Sequence, residues 1–374
     1  MVLMVAALTS WVYAEAKEIT QRASLPSGSD ALAVAVFSKL AKQEKGNVVY
    51  SPASAEKLLH TLITGAVGST RRELEALPYG QQGVASAMKL LSADALFAAD
   101  DLALKPTAHE LHRVPFRTDA AAAAAAINAW CSEHTKGKID QMVSQRDISA
   151  QTRLIALNAI YLKENWLRPF DKQDTKEQGE FHLLSGKTVQ TAMMSRQGSF
   201  RYAEGEGWRA VALFYERQQR VGEPGCFIAI LPKGDARAFA AKLTTEKFHQ
   251  IRLALAQASD QRLKVILPRF EVKTNIFTLR PALEALGLKR PFSLSADFSD
   301  FADEPMHLDD VRQKCYVKVD EQGTEAAAVT VGMVRAVGIA PPTPVLCFDR
   351  PFIWVIGDIS SAAPPFFMGL LEKP

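Results

Sequence analysis

Apolar side chains recur at helical spacing over residues 28–43 and again over 52–66, which predicts a helix in each window. Pro52 suits the first turn of the second helix, where a missing N–H removes no intrahelical bond. Asp119 precedes the alanines at 120–126 as an N-cap on a strong helix former, and Ile127 and Trp130 give that helix an apolar face. Residues 281–286 predict another short helix. Elsewhere the period shortens to two or the apolar run is unbroken. Residues 154–162 have the composition of a central strand. Residues 198–214 and 226–232 alternate or run apolar as in a large antiparallel sheet; 311–320 alternates; 352–356 and 366–371 read as buried strands. Strand runs mixed with helix runs make α+β the predicted class.

The chain after Asp320 breaks this pattern. It reads Glu321-Gln-Gly-Thr-Glu-Ala-Ala-Ala-Val-Thr330. Laid out as a strand, one face carries Thr324, Ala326, Ala328, Thr330 and Gly332, all small and uncharged. The other carries Glu325, Ala327, Val329, Val331, Met333 and Arg335. A face of small residues fits between two strands already packed on a core. Ala and Gly are poor strand formers, so the segment gains little as a strand by itself. Pro341-Pro342-Thr343-Pro344 follows as a stiff extended spacer. The combination describes a loop that becomes a strand later; on composition alone, Ala-rich filler is an equal reading.

Motifs along the chain decide between the two. Glu321-x-Gly323-Thr324-Glu325-Ala326-Ala327-Ala328-x-Thr330 resembles the hinge of the reactive-centre loop of inhibitory serpins. Asn47-Val-Val-Tyr-Ser-Pro-Ala-Ser54, Ile127-Asn-Ala-Trp130 with Thr135-Lys-Gly-Lys-Ile139, and Leu157-Asn-Ala-Ile-Tyr161 with Trp166 and Pro169-Phe-Asp171 resemble further segments of that family. Phe181, Met193-Met194, Ile230-Leu-Pro232, Leu267-Pro-Arg-Phe270, Phe348-Asp-Arg-Pro-Phe352 and Phe367-Met-Gly369 follow in the family's order, so the resemblance runs over roughly residues 28–374. It implies three β-sheets with about eight or nine helices, a single domain over 17–374, and an exposed loop over about 321–347.

It also implies a mechanism. The loop is bait for a serine protease, the cut loop inserts as a new strand of the largest sheet, and the protease is trapped as an acyl-enzyme. The usual inhibitory spacing from the hinge puts the scissile bond at Val337-Gly338, with Arg335, Ala336 and Ala340 as alternatives. Val337 suits an elastase-like or subtilisin-like protease. A cut at Arg335 would suit a trypsin-like one but shortens the inserted strand by two residues, ~7 Å. Fourteen residues from Thr324 to Val337 would span ~46 Å and add backbone hydrogen bonds summing to order ten kcal/mol. Ser51, Ser54 and Asn158 match the polar cluster that lets the large sheet open, with Gln313 where the family often has His; Trp166, Arg269 and Glu321 match a site at the top of that sheet. A chaperone or carrier without inhibitory activity, and an inhibitor of cysteine proteases, are the alternatives.

Composition adds limits. A net charge of +3 is too small for a nucleic-acid footprint. No run long enough to span a membrane occurs beyond the amino terminus. Residues 1–16, apolar and ending Ala14-Glu-Ala16, read as a secretory signal; without a Lys or Arg ahead of them, an N-terminal helix is the alternative. A secreted, extracellular or bacterial periplasmic protein is expected. Cys131, Cys226, Cys315 and Cys347 include no C-x-x-C pair, and the seven histidines have no metal-ligand spacing. No nucleophile elbow, phosphate loop or dinucleotide fingerprint is present, so no enzyme and no cofactor is expected. Between 78 and 119 basic residues are sparse, which argues against heparin. The expected partner is a target serine protease held covalently by a monomer, with polymerisation open to it through loop insertion.

Overall fold

The computed structural model describes residues 30–80, 91–108, 110–217, 225–273, 276–324, 343–360 and 363–374. The segment 1–16 and the loop positions Glu325, Ala326, Ala327, Ala328, Thr330, Arg335, Ala336, Val337, Gly338 and Ala340 lie outside these residues.

Helix α1 (Ala31–Gln43) buries Leu32, Val34, Val36, Phe37 and Leu40. Helix α2 (Pro52–Gly65) has Pro at its start, as expected, and buries Leu58, Leu59 and Leu62. The alanine-rich helix Ala120–His134 is capped by Asp119, whose side chain accepts from the Ala122 N–H at 2.9 Å. Among the described residues there are seven α-helices.

The strands join in two networks. The larger one continues through an 18-residue strand, Thr188–Gly205. Met193 to Arg201 of that strand pair with Asp260–Pro268, and Arg201 to Gly205 pair with Trp208–Ala212. Two of the three expected sheets are thus joined by one bent strand.

The other sheet positions the site. Its strands are β1 (Leu91–Ala99), β2 (Leu154–Tyr161), β3 (Glu164–Asn165), β4 (Leu308–Val319) and β5 (Gly323–Thr324), with Leu111–Val114 at the far edge. β1 and β2 are antiparallel, while β2 and β4 are parallel in register from Leu154↔Leu308 to Tyr161↔Tyr316. Two cores flank the structure. Phe37, Leu59, Ile127 and Phe248 lie in one. Trp166, Tyr215, Phe227, Phe270 and Trp354 lie in the other, between the sheets.

Candidate functional site

The top of this sheet is already wedged. After β4 the chain turns back through Asp320–Gln322, closed by the Asp320 N–H on the Gly323 carbonyl at 2.9 Å. Thr324 then pairs antiparallel with Val319 of β4 on one side and Glu164 of β3 on the other. Below that point β2 and β4 close directly on each other. β5 thus lies between β4 and β3 at the top of the sheet.

Sequence explains why these residues sit there. A Cβ on Gly323 would collide with the Glu164 carbonyl oxygen and stand 2.8 Å from the Asn165 Cα, so only glycine passes the backbone of β3. Thr324 is fully buried, its hydroxyl 2.6 Å from that of Tyr215. Tyr215 stacks face to face on Trp166 at 4.6 Å. Trp166 in turn holds the turn, with its ring N–H donating to the Asp320 carbonyl at 2.9 Å and its backbone N–H to that of Gln322 at 2.8 Å. Thr324 therefore faces the core.

Glu321 sits beside this turn with its side chain 4% exposed. Arg269 donates to it from Nη2 at 2.5 Å and Nε at 3.3 Å, and the Thr175 hydroxyl donates at 3.0 Å. The other side of Arg269 donates to Glu177 at 3.0 and 3.2 Å. Burial by itself would raise the Glu321 carboxyl, but the hydrogen bonds from Arg269, the backbone and Thr175 outweigh it and hold it below the ordinary value. The hydrogen bond to Glu321, opposed by burial and assisted by Glu177, raises the Arg269 guanidinium above its own.

Halfway down, a polar row crosses three strands. Asn158 of β2 lies opposite Asp94 of β1 and opposite Gln313 of β4. Gln313 Nε2 donates to Asn158 Oδ1 at 2.6 Å, and Asn158 Nδ2 donates to Asp94 and to Ser54. The Ser54 hydroxyl donates to Asp94, whose other oxygen meets Lys57 Nζ at 3.1 Å. Gln313 also clasps the backbone of Ser51, accepting its N–H at 2.7 Å and donating to its carbonyl at 3.1 Å. The row lies on the seam between β2 and β4, so a strand entering there has to break the Gln313–Asn158 bond.

The predicted site residues that lie within the described chain fall into these two groups. Ser51, Ser54, Asn158 and Gln313 come together in the row; Trp166, Arg269, Glu321, Gly323 and Thr324 come together at the top. The Ser51 hydroxyl, just ahead of α2, is buried and has no hydrogen-bond partner among the described residues. Ser51 acts through its backbone, because Gln313 reaches both of its peptide groups. Asp94, Thr175, Glu177 and Tyr215 went unseen in the sequence, where no motif marks them.

Cys131, Cys226 and Cys315 are buried free thiols and Cys347 is half-buried. Among the described residues no group of three His, Cys, Asp or Glu is placed to hold a metal, and no helix is long and apolar enough to cross a membrane.

Known proteins resemble this chain over most of its length. The family model described as Serpin (serine protease inhibitor) matches residues 100–374. Serpin-Z7 of Hordeum vulgare is 31% identical over 363 residues, covering 88% of this chain and 90% of its own. A serpin-like protein of Thermococcus kodakarensis is 32% identical over 359 residues, covering 88% and 81%. Among solved structures, native protease nexin-1 with heparin superposes with a TM-score of 0.79 at 25% identity, covering 94% of this chain and 100% of that one. Uncleaved ovalbumin gives 0.78 at 20% identity, covering 94% and 100%, a likeness of fold alone. The chain belongs to the serpin family, whose members are mostly inhibitors of proteases and not catalysts.

Proposed function

We propose that this protein is a suicide inhibitor of serine proteases. The observation that carries the proposal is β5, which enters antiparallel to both neighbours at the top of a sheet whose lower seam is closed. The protease serine attacks the Val337 carbonyl, the Val337–Gly338 C–N bond breaks, and the Gly338 amine leaves with a proton. The acyl ester ties the protease to the chain leading back to Thr324. That chain continues β5 down the seam, exchanging one parallel pairing for two antiparallel ones. Each inserted residue gains backbone hydrogen bonds of roughly 0.5–1.5 kcal/mol net, so the fourteen residues to Val337 drive the motion with order ten kcal/mol. Displacement of the protease outruns deacylation, and the ester persists. Val337 makes elastase-like and subtilisin-like proteases the targets.

The protein acts as one domain over 17–374, as a monomer, outside the cell or in a bacterial periplasm after loss of residues 1–16. N-terminal sequencing of the exported protein tests that part. The activity is tested by mixing the protein with pancreatic elastase, subtilisin and trypsin. A band resistant to SDS at the summed mass is expected, with a released peptide beginning at Gly338. Cleavage of the loop with release of fully active protease from every pair would overturn the proposal and favour a carrier or chaperone.

A further inference from the structure

The described chain on the two sides of the loop ends at Thr324 and resumes at Thr343. A groove of about 980 Å³ is lined from Asp171, Asp174 and Lys176 across to Gln197, Arg262 and Lys264. Its charge is divided. Asp171, Asp174, Glu180 and Asp349 line it together with Lys176. Arg196, in the middle, is spent on its neighbours: its guanidinium donates to the Arg168 carbonyl and lies 4.5 Å over the Phe200 ring. On the far side the register aligns Arg262 with Ser199, and Lys264 with Gln197 and Val345. Both cations are exposed, and among the described residues neither has an ion pair. They stand at the point where the loop rejoins the fold, because Gln197 Nε2 donates to the Thr343 hydroxyl at 2.7 Å and the Lys264 N–H to the Pro344 carbonyl at 2.8 Å.

We infer that Arg262 and Lys264 form a second docking surface for the target protease, one that takes an acidic patch on the protease's primed side. This rests on the inhibitory reading and on the scissile bond at Val337–Gly338. Gly338 is five residues from Thr343, at most about 17 Å of chain. A protease of about 220 residues has a radius of gyration of about 17 Å, so the part of it that holds the primed residues lies over this strand. Two unpaired cations there steer an acidic partner and slow its departure, an effect that weakens as salt screens it.

The test separates docking from trapping. Pancreatic elastase and subtilisin, each with its nucleophilic serine replaced by alanine, are bound to the wild type and to Arg262→Glu/Lys264→Glu over a range of salt. The double variant should bind the preferred protease at least tenfold more weakly at low salt, with a flatter salt dependence. Arg262→Lys/Lys264→Arg should bind like the wild type. Active protease should be trapped by the double variant more slowly but at the same stoichiometry. Equal affinity and equal salt slope for wild type and charge reversal, or no binding of either inactive protease to the wild type, overturns the inference. Binding that depends on the two cations, followed by release of active enzyme, would keep the docking surface and reject the inhibitory reading.

Discussion

Replacing Thr324 probes the residue already seated in the sheet from which an inserting strand would continue. Thr324 is completely buried, and its hydroxyl and that of Tyr215 are 2.6 Å apart under the Trp166 ring. Thr324→Val keeps the shape but strips Tyr215 of its partner, at about 1–3 kcal/mol for a buried unsatisfied hydroxyl. Tyr215→Phe does the same to Thr324. Removing both hydroxyls leaves an apolar contact of similar shape, so the double variant should return close to the wild type, with a coupling of about 1–3 kcal/mol. Thr324→Arg is harsher. It places an unpaired charge in the same space, at several kcal/mol. Because Thr324 is already buried before cleavage, that cost falls on the intact protein, which either melts lower or releases residue 324 from the sheet; a released residue has to be buried again during insertion, and each 1.4 kcal/mol of that cost slows insertion about tenfold and favours deacylation. The assay is the stoichiometry of inhibition against a protease the wild type traps. Thr324→Val should raise it modestly, the Thr324→Val/Tyr215→Phe pair should restore it, and Thr324→Arg should be cleaved as a plain substrate. Wild-type stoichiometry for Thr324→Arg, or a double variant as poor as the two singles summed, would refute the role given to this contact.

Two further outcomes concern charge. Glu321→Lys should promote polymers on mild heating, seen on native gels, because it sets a cation against Arg269 where β5 enters and opens the sheet to a neighbour's loop. Adding Arg269→Glu should rescue only in part, since the new carboxylate then faces Glu177; monomers from the single variant would show the pair to be idle. Acid should mimic the single variant. The Glu321 carboxyl is depressed in the fold, so its contribution is present above the unfolded value of 4.5 and is lost as pH falls through the folded one. Glu56 runs the other way. It is fully buried, with Oε2 accepting from the Gly80 N–H at 2.9 Å and Oε1 unpartnered. Burial, opposed by the Gly80 bond and assisted by Asp30, pushes its carboxyl up to about 7. Stability is therefore highest below pH 4.5 for this group and falls as pH rises through 7, by up to about 3 kcal/mol. Glu56→Gln should raise the melting midpoint at pH 8 and flatten its slope between pH 5 and 8; an unchanged slope would show that Glu56 is not the source.

How much of this was legible in the sequence differs from residue to residue. The helix starts at Pro52 and Asp119 were readable because capping is local chemistry. The hinge was readable because alternating small residues are a pattern within one segment. Asn158 and Gln313 were found only through family motifs, and Asp94, opposite Asn158 across two strands, was not found at all. Its segment, Leu91–Ala99, shows no clean alternation, and what makes Asp94 matter is a register with residues 64 positions away. Tyr215 is hidden for the same reason, its partner Thr324 being 109 residues on. Gln313 engages both peptide groups of Ser51 from 262 residues away, a contact that no local pattern marks. The joining of two sheets through Thr188–Gly205 depends on how far one strand stays paired, which composition does not set.

The central claim is that the seam below Thr324, closed between β2 and β4, opens to take the cut loop as a new strand. The direct measurement is thermal melting of the intact protein against protein nicked once between residues 325 and 342. Order ten kcal/mol of added stability, in a chain of 374 residues, corresponds to a rise of roughly 10–15 °C. A nick that raises the midpoint by that amount or more is the result expected. A nicked protein that melts at or below the intact midpoint would contradict the account.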